Sequence, residues 1–519
     1  MSEIDTISLE AAIRVLPSRY KGPGGAVGVV KDGVVILRHA WGYADLESRV
    51  PMTAETLLPI CSISKQFTCA VLLDVAGDPS TLDKQLVDLL PNLEMPRPTV
   101  ADLCNMQSGL RDYWALTVLQ GAMADGIFRE EDARPILTRM CTTHFTPGKH
   151  YSYSNGNFRI LHDLIEAKAG RRLAELYRER IFERAGMETA YLASDTGAPL
   201  NGVKGYEGNE DVGYFPATNR IFWSGDAGIA ATLDDMLAWE RFIDSTRSDA
   251  DGLYNRLSAP QPFSNGAPSH YGFGLAREKL GDVALTGHGG ALRGFRCRRL
   301  HAASRRLSVV VMFNHEADAH AASLFLMRAA LGQPEEPVSG ERPVPEWGGN
   351  YLESATGLVL EVTTSADHLV ARFAGSEEKL ILDADGIARS KLMTLERTGD
   401  AIRLRRPGEN LDSVAIRVSG DAMPDIEGRF YSREIDASLQ IVSAGGAYFV
   451  GFEGYLGSGA MHPMSPVGED VWSISCRRSM DAPAPGDWTV QVRRDASGQV
   501  GGLAISCWLA RNVEYAKID

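Results

Sequence analysis

A serine and a lysine three positions apart are the residues of this chain best suited to nucleophilic chemistry. Ser62 and Lys65 lie in the stretch PICSISKQFTCAV, where an extended run changes to a helical pattern. Positions three apart share one face of a helix, so the lysine amine can reach the serine hydroxyl. A lysine takes the serine proton only when burial or nearby positive charge lowers its pKa. The pair therefore indicates acyl transfer, with a helix start that stabilises an oxyanion.

Cys61, the neighbour of Ser62, is a second candidate nucleophile. The spacing that pairs Lys65 with Ser62 makes Cys61 the less favoured nucleophile. The chain has seven cysteines, an odd number, and no C-x-x-C pair. The N-terminus has no basic start and no apolar segment typical of a secretory signal. These features predict free thiols in a reducing, cytoplasmic compartment.

Two further polar clusters accompany the serine and lysine. YSN at 153–155 follows a Pro-Gly break, and HGG at 288–290 lies in TGHGGALRGF, a turn that leads into a strand. A bare S-x-x-K is usually structural, and so is a single tyrosine or a histidine between glycines. The occurrence of all three clusters in this order requires a joint explanation.

SISK, YSN and HGG together resemble the three-motif signature of the penicillin-recognising serine hydrolases. The similarity covers roughly residues 20–330 and includes flanking segments such as PTVADLCNMQSGLRDY and SGDAGIAATLDDM. This family includes class C β-lactamases, D,D-carboxypeptidases, esterases and enzymes that remove N-terminal D-residues. The resemblance implies a β-lactamase-like catalytic domain that needs no cofactor.

The resemblance also implies a role for each motif residue. Ser62 would be the nucleophile and Lys65 would accept its proton. Tyr153 would share the base role and pass a proton to the leaving group. Asn155 would hold the backbone amide of the substrate, and the N–H groups of Ser62 and Ala291 would form the oxyanion hole.

The third cluster departs from the family pattern. His288 stands where members that bind penicillins or peptide C-termini have the lysine of K-T-G, and Gly289 replaces the threonine. Imidazole is at most partly charged at neutral pH, and glycine has no hydroxyl. The site therefore lacks a fixed cation for a carboxylate, which disfavours a penicillinase or a D,D-carboxypeptidase.

The order of elements predicts an α+β catalytic domain over residues 1–331, with helices packed on an antiparallel sheet. Residues 25–42 form a strand pair with a turn at Lys31-Asp32-Gly33, the middle is mostly helical, residues 270–314 are strands, and 318–331 close the domain as a helix.

The rest of the chain is predicted to form two small antiparallel β-barrels, over 332–419 and 420–519. A proline-rich stretch at 332–349 reads as a linker. Two series of short alternating strands follow, opening with GNY at 349 and GRF at 428, which indicates a weak internal repeat.

One segment of the second barrel interrupts the strand pattern. CRRSMDAPAPGDW, at 476–488, combines proline, glycine and acid. We expect it to fold back over the active site and place Asp481 near a substrate ammonium; an ordinary solvent-exposed hairpin is the alternative. The predicted substrate-binding residues are thus Asn155, His288, Gly290, Ala291 and Asp481.

The resemblance implies a serine hydrolase that releases N-terminal D-amino acids from peptides, amides and esters through an acyl-enzyme. A preference for D-residues rests on the resemblance alone. The alternatives are a family esterase, a D-amino-acid amide or ester hydrolase, and a non-catalytic ligand-binding receptor of the same fold. Substrates would be small molecules with a free amine.

Composition excludes other classes of partner. A net charge of −14 argues against nucleic acid and anionic membranes, and no apolar run reaches the length of a membrane span. The eleven histidines show no metal-ligand spacing, and no glycine-rich phosphate motif is present, so neither a metal nor a cofactor is expected. A homodimer remains an open alternative to a monomer.

Overall fold

The computed structural model describes residues 5–200, 202–333 and 343–518. Helices dominate the middle of the N-terminal part of the chain, as the sequence predicts. The α-helices of the described residues are α1 Thr6–Arg19, α2 Ser64–Ala76, α3 Asp83–Leu89, α4 Val100–Cys104, α5 Tyr113–Leu119, α6 Ala133–Arg139, α7 Asn155–Ala169, α8 Leu173–Tyr177, α9 Glu183–Ala185, α10 Leu233–Thr246, α11 Leu253–Leu257 and α12 Ala319–Leu331.

Strands flank this helical region on both sides along the chain. The strands before and within it are β1 Gly24–Lys31, β2 Val34–Asp45, β3 Val50–Pro51, β4 Leu58–Pro59, β5 Tyr191–Leu192, β6 Tyr206–Asn209, β7 Gly213–Pro216 and β8 Ile229–Ala231. The strands after it are β9 Tyr271–Gly272, β10 Leu275–Leu280, β11 Val283–Leu292, β12 Phe295–Ala302 and β13 Leu307–Phe313.

The main sheet has eight antiparallel strands in the order β3-β2-β1-β13-β12-β11-β10-β9. Its first and last long segments, β1 and β13, therefore meet in the centre. One apolar cluster joins α1 and α12 to one face, and a second cluster joins the remaining helices to the other. This arrangement confirms the predicted α+β domain with helices on an antiparallel sheet.

The predicted hairpin between the first two strands is confirmed. Asp32 and Gly33 both have positive φ, 51° and 77°, as a tight two-residue turn between twisted strands requires. The predicted helix at Ser62–Ala76 differs slightly. A 3₁₀ turn covers Cys61–Ile63, and the α-helix begins only at Ser64.

The first of the two predicted barrels is confirmed as a closed antiparallel ring of eight strands with its own apolar core. Half of the predicted linker at 332–349, residues 334–342, lies outside the described residues. The strands of the ring are β14 Gly349–Glu353, β15 Leu358–Thr364, β16 Leu369–Phe373, β17 Ser376–Leu382, β18 Ile387–Arg389, β19 Thr394–Thr398, β20 Ala401–Arg406 and β21 Leu411–Arg417.

The second barrel closes because one strand, β23, pairs with both β22 and β24. It opens as the first barrel does: Gly349 and Gly428 have φ of 144° and 143°, a backbone geometry that supports the internal repeat. Its strands are β22 Gly428–Ser432, β23 Ala437–Ala444, β24 Ala447–Gly454, β25 Gly457–Ser458, β26 His462–Gly468, β27 Val471–Cys476, β28 Gly486–Arg494, β29 Val500–Cys507 and β30 Ala510–Lys517.

The second barrel packs directly on the helical layer of the catalytic domain, since buried residues of both belong to one apolar cluster. Backbone contacts reinforce this packing: the Asp112 N–H donates to the Leu509 carbonyl at 2.8 Å, and the Leu456 N–H donates to the Gln120 carbonyl at 3.0 Å. Among the described residues, no helix is both long and apolar enough to cross a bilayer.

Candidate active site

Ser62 lies on a tight turn between the short strand β4 and helix α2. The preceding residue, Cys61, adopts φ of 50°, which is unusual for a side chain other than glycine and marks a strained turn. The Cys61 thiol points inward and donates to the Pro59 carbonyl at 3.4 Å. Burial raises the pKa of this thiol. Cys61 therefore shapes the turn and is not an available nucleophile, whereas Ser62 remains partly exposed.

Lys65 is completely buried and donates three hydrogen bonds. Its Nζ lies 2.9 Å from Ser62 Oγ, 2.7 Å from Asn155 Oδ1 and 2.6 Å from the Asp226 carbonyl oxygen. When Lys65 is neutral, its two N–H groups can stay on Asn155 and Asp226. Its lone pair is then directed at Ser62, so this amine is placed to take the serine proton.

The electrostatics of Lys65 suit this role. Burial lowers its pKa to about 8, because the charged ammonium loses its hydration. The negative charges of Asp226, Asp481 and Asp112 oppose the effect and keep the pKa from falling further. A neutral amine is thus available near neutral pH, in the range where a general base is effective.

Tyr153 lies beside both the nucleophile and Lys65. Its ring centre is 4.9 Å from Lys65 Nζ. Burial raises the pKa of Tyr153 well above its usual value, although a hydrogen bond with Ser62 opposes that rise. A phenol that stays protonated is a proton donor rather than a base. The opposite pKa shifts therefore suit different roles: Lys65 can accept a proton, and Tyr153 can supply one.

Asn155 is the first residue of α7 and is held by Asp112. The Asn155 backbone N–H donates to Asp112 Oδ1 at 2.6 Å, and its side-chain amide lies 3.4 Å from Oδ2. Burial raises the pKa of Asp112 to about 6, so the carboxylate is charged at neutral pH and caps the start of the helix. Asn155 is thereby fixed against Lys65.

Strand β11 forms the other wall of the site. Its register pairs it with β10 only through Gly287, so residues 288–292 present a free edge to the turn that carries Ser62. A Cβ atom on Gly290 would lie 2.4 Å from the Ile60 carbonyl oxygen and 2.5 Å from Cys297 Sγ. Only glycine permits this approach, which brings the backbone at Ala291 towards the nucleophile.

His288 is buried and does not carry the charge of the lysine it replaces. Its Nε2 lies 3.0 Å from the Tyr271 hydroxyl, and its Nδ1 lies 2.5 Å from the Gly289 carbonyl oxygen. Nδ1 therefore carries the proton, and Nε2 accepts from Tyr271. Burial lowers the pKa of His288 to about 3, and the charge of Lys65 adds to the effect. The imidazole is neutral, and it provides no cation for a carboxylate.

Asp481 belongs to the second barrel, and the sequence predicts that it reaches the catalytic site. It lies on residues 477–485, which connect β27 to β28 and are called here the Asp481 loop. Burial raises the pKa of Asp481, and the nearby charge of Asp112 raises it further, while Lys65 opposes the rise. Ser479, Met480 and Ala482 of this loop are buried, so the segment is not an ordinary solvent-exposed hairpin.

Other residues of the site were missed in the sequence. Asp112 and Asp226 are buried beside Lys65. The Asp226 carboxylate accepts from the Tyr113 hydroxyl at 2.8 Å, which fixes the carbonyl that Lys65 uses. Asp112 lies in PTVADLCNMQSGLRDY and Asp226 in SGDAGIAATLDDM, two segments that resemble the family. That resemblance was the one feature of the sequence that could have pointed to them. No group of three or more potential metal-ligating side chains occurs in the part of the chain that the structure describes.

The comparisons with known proteins agree with this architecture. The family model "Beta-lactamase" matches residues 9–331, and the model "D-aminopeptidase, domain B" matches residues 341–516. D-aminopeptidases from Brucella melitensis biotype 1 and Brucella anthropi are 54% and 53% identical to this chain, each over 100% of both chains. The chain belongs to the D-aminopeptidase family.

Solved structures show the same fold at lower identity. A D-amino acid amidase from Ochrobactrum anthropi SV3 matches with a TM-score of 0.53 and 20% identity, covering 63% of this chain and 98% of its own. A penicillin-binding protein homologue from Pyrococcus abyssi matches with a TM-score of 0.52 and 19% identity, covering 79% and 100%. These two likenesses concern the fold alone.

Proposed function

We propose that this member of the D-aminopeptidase family is a serine hydrolase that removes N-terminal D-amino acids from small peptides, amides and esters. The observation that carries the chemistry is the threefold hydrogen bonding of the buried Lys65, which directs its lone pair at Ser62. The preference for D-residues is supported by full-length relatives that carry the name D-aminopeptidase.

The proposed mechanism forms and breaks one acyl bond on Ser62. Lys65 takes the hydroxyl proton while Oγ attacks the substrate carbonyl carbon, and the N–H groups of Ser62 and Ala291 stabilise the oxyanion. Tyr153 donates its proton to the leaving amine and regains one from Lys65. Water then attacks the acyl-enzyme with the same groups acting in reverse, which releases the amino acid.

Substrate choice follows from charge. The neutral His288 offers nothing to a carboxylate, whereas Asp481, Asp112 and Asp226 place acidic groups around Lys65. An ammonium group compensates buried acids, and a carboxylate would add to them. We therefore assign the free amine of the substrate to Asp481 and its backbone amide to Asn155.

A burst experiment tests the activity. D-Alanine p-nitroanilide should release one equivalent of p-nitroaniline rapidly and then turn over, and the L-form should not. Ser62→Ala should abolish both phases, because acylation requires the hydroxyl. Steady release by Ser62→Ala at the wild-type rate would contradict the proposal, and equal rates on both enantiomers would refute its stereochemical part.

The two enzymatic alternatives share the nucleophile but differ in substrate. A family esterase would prefer p-nitrophenyl acetate over every amine-bearing anilide, and an amide or ester hydrolase would accept D-alaninamide but not D-alanyl dipeptides. A receptor would bind D-alaninamide without turnover. Measuring turnover of these four substrates distinguishes the proposed aminopeptidase from the three alternatives.

The compartment and the assembly are further parts of the proposal. All seven cysteines are free, and six of them are buried, which suits a reducing cytoplasm. A homodimer would have twice the 56.4 kDa mass of the chain, and light scattering on the purified protein measures this directly.

A further inference from the structure

Asp481 has little to hold its carboxyl group in place. Among the described residues, no side chain donates a hydrogen bond to it, and the backbone N–H of its neighbour Ala482 lowers its pKa only in part. Its own carbonyl oxygen accepts from the Ser479 hydroxyl at 2.9 Å, within the same loop. The position of the carboxyl group in the catalytic site therefore depends on how the Asp481 loop is anchored.

Arg478 is the polar anchor of the loop. Its guanidinium makes two bidentate pairs with the catalytic domain. Nη1 and Nη2 each lie 2.8 Å from an Asp125 oxygen, and Nε and Nη2 each lie 2.9 Å from a Glu207 oxygen. Asp125 follows α5 and Glu207 lies on β6, so one side chain joins the loop to two separate segments.

The same anchor is connected to β11, the strand that carries Ala291 of the proposed oxyanion hole. Asp125 accepts from Arg293 Nη1 at 2.7 Å, and Arg293 directly follows β11. The hydrogen bond from Arg478 holds the pKa of Asp125 at about 2, with Arg293 contributing, so the carboxylate stays charged over the working pH range. Glu207 is nearly buried, with 10% of its side chain exposed, so its end of the pair is screened less by salt than an exposed carboxylate would be.

An apolar contact supports the same attachment. The side chain of Met480 is buried, and its Cε would lie 2.9 Å from a Cβ placed on Gly126. By contrast, the neighbouring Arg477 has a side chain that is 68% exposed, and its one ion-pair partner among the residues described is Asp487, inside its own barrel. Two adjacent arginines thus have different roles, and Arg477 is a matched control for Arg478.

We propose that Arg478 is a positioning residue: by clamping the Asp481 loop to Asp125 and Glu207, it holds Asp481 where the substrate ammonium binds and so sets the selectivity for free amines. The proposal rests on the proposed function, in which Asp481 pairs with that ammonium. Arg478 itself contacts no reacting atom. A bidentate pair with two carboxylates provides the directional restraint that a single lysine contact would not.

The test is a double-mutant cycle between Arg478 and Asp481, read with two substrates. D-Alanine p-nitroanilide carries the amine, and p-nitrophenyl acetate has none. Arg478→Ala should raise KM for the anilide about tenfold and leave acetate turnover within about twofold, because only the amine contact is misplaced. In the Asp481→Ala background, the same substitution should change the KM ratio of the two substrates no further.

Controls separate positioning from stability. Arg477→Ala should leave both substrates unchanged, and Arg478→Lys should recover part of the anilide KM. Should Arg478→Ala fold poorly, Glu207→Gln removes one of the two pairs and should raise the anilide KM in the same direction.

The outcomes are distinguishable. If the wild type favours the anilide and the effects of Arg478→Ala and Asp481→Ala simply add, the positioning role is wrong while the proposed function stands. If Arg478→Ala lowers the melting temperature but leaves the KM ratio unchanged, Arg478 is only structural and the inference is overturned. If the wild type shows no preference for the amine, the proposed function fails and the inference fails with it.

Discussion

Lys65 Nζ lies 2.7 Å from Asn155 Oδ1, across ninety positions of sequence. This bond makes the amide oxygen one of two fixed acceptors for the lysine, with the Asp226 carbonyl as the other. Asn155 in turn is held by Asp112 at the start of α7. The direction in which Lys65 offers its lone pair is therefore set by a chain of buried contacts behind it.

The pH dependence of acylation should report the pKa of Lys65. Because the active amine is neutral and its pKa is about 8, kcat/KM should rise about tenfold between pH 7 and pH 9 and then level off. p-Nitrophenyl acetate is the suitable substrate, since it has no amine of its own to titrate. Ser62→Ala supplies the background rate at each pH. A flat profile from pH 6 to pH 9 would exclude Lys65 as the base.

Substitution of Gly290 should damage catalysis more than folding. A Cβ atom there would meet the Ile60 carbonyl oxygen at 2.4 Å, so Gly290→Ala must move β11 away from the nucleophile. Loss of an oxyanion donor lowers kcat by about 100-fold or more. Gly289→Ala is the matched control, because the nearest atom to its Cβ would belong to the flexible Arg298 side chain, at 3.3 Å, and the nearest backbone atom would lie at an ordinary 3.7 Å. Similar losses of kcat for both variants would show that the close approach of β11 at Gly290 does not position the oxyanion donor.

Asp112 should make folding stability depend on pH. Its pKa is about 6 in the folded chain and about 3.9 in an unfolded one, so the native state binds more protons between these values. Protonated Asp112 therefore stabilises the folded state fully below about pH 4, and this stabilisation is lost as the pH rises through 6. The free energy of unfolding of Asp112→Asn minus that of the wild type should therefore increase by about 2 kcal/mol when the pH is raised from 4.5 to 7.5. Urea titrations at the two pH values measure this, and an unchanged difference would argue against it.

The sequence predicted the parts of the site that local spacing encodes. Ser62 and Lys65 share one turn, and Asp481 lies in a segment whose prolines break a strand pattern. Contacts between distant segments could not be predicted in this way, because no local spacing in the sequence encodes them. Arg478 meets Asp125 across 353 positions, and no residue spacing signals which carboxylate a surface arginine will find.

In the fold, too, the features encoded locally were predicted and those that depend on distant contacts were not. The hairpin at Asp32, the α+β domain and both barrels follow from strand periodicity and turn residues, which are local. The 3₁₀ turn at Cys61–Ile63 was missed, since a positive φ at cysteine is imposed by packing against β11 and not by residue preference. The merging of the second barrel with the helical core likewise depends on tertiary contacts.

His288 should behave as a neutral hydrogen-bonding group. Its pKa of about 3 means that it does not titrate between pH 5 and pH 9, and its Nε2 only accepts from Tyr271. His288→Gln keeps an acceptor, so kcat should stay within about threefold and the midpoint near pH 8 should not move. Tyr271→Phe serves as the companion variant. A new limb in the pH profile that disappears with His288→Gln would show that the imidazole is charged.

The attachment of the second barrel should depend on one glycine contact. A Cβ atom on Gly121 would lie 2.0 Å from the Gly457 carbonyl oxygen, so Gly121→Ala must separate the barrel from the catalytic domain. Gly445 also has positive φ, 61° against 76°, but nothing lies within 4 Å of its Cβ position. Both variants bear the same backbone cost, and overpacking should make Gly121→Ala less stable by a further 1–3 kcal/mol, roughly. Equal melting temperatures for the two variants would show that this contact does not hold the barrel in place.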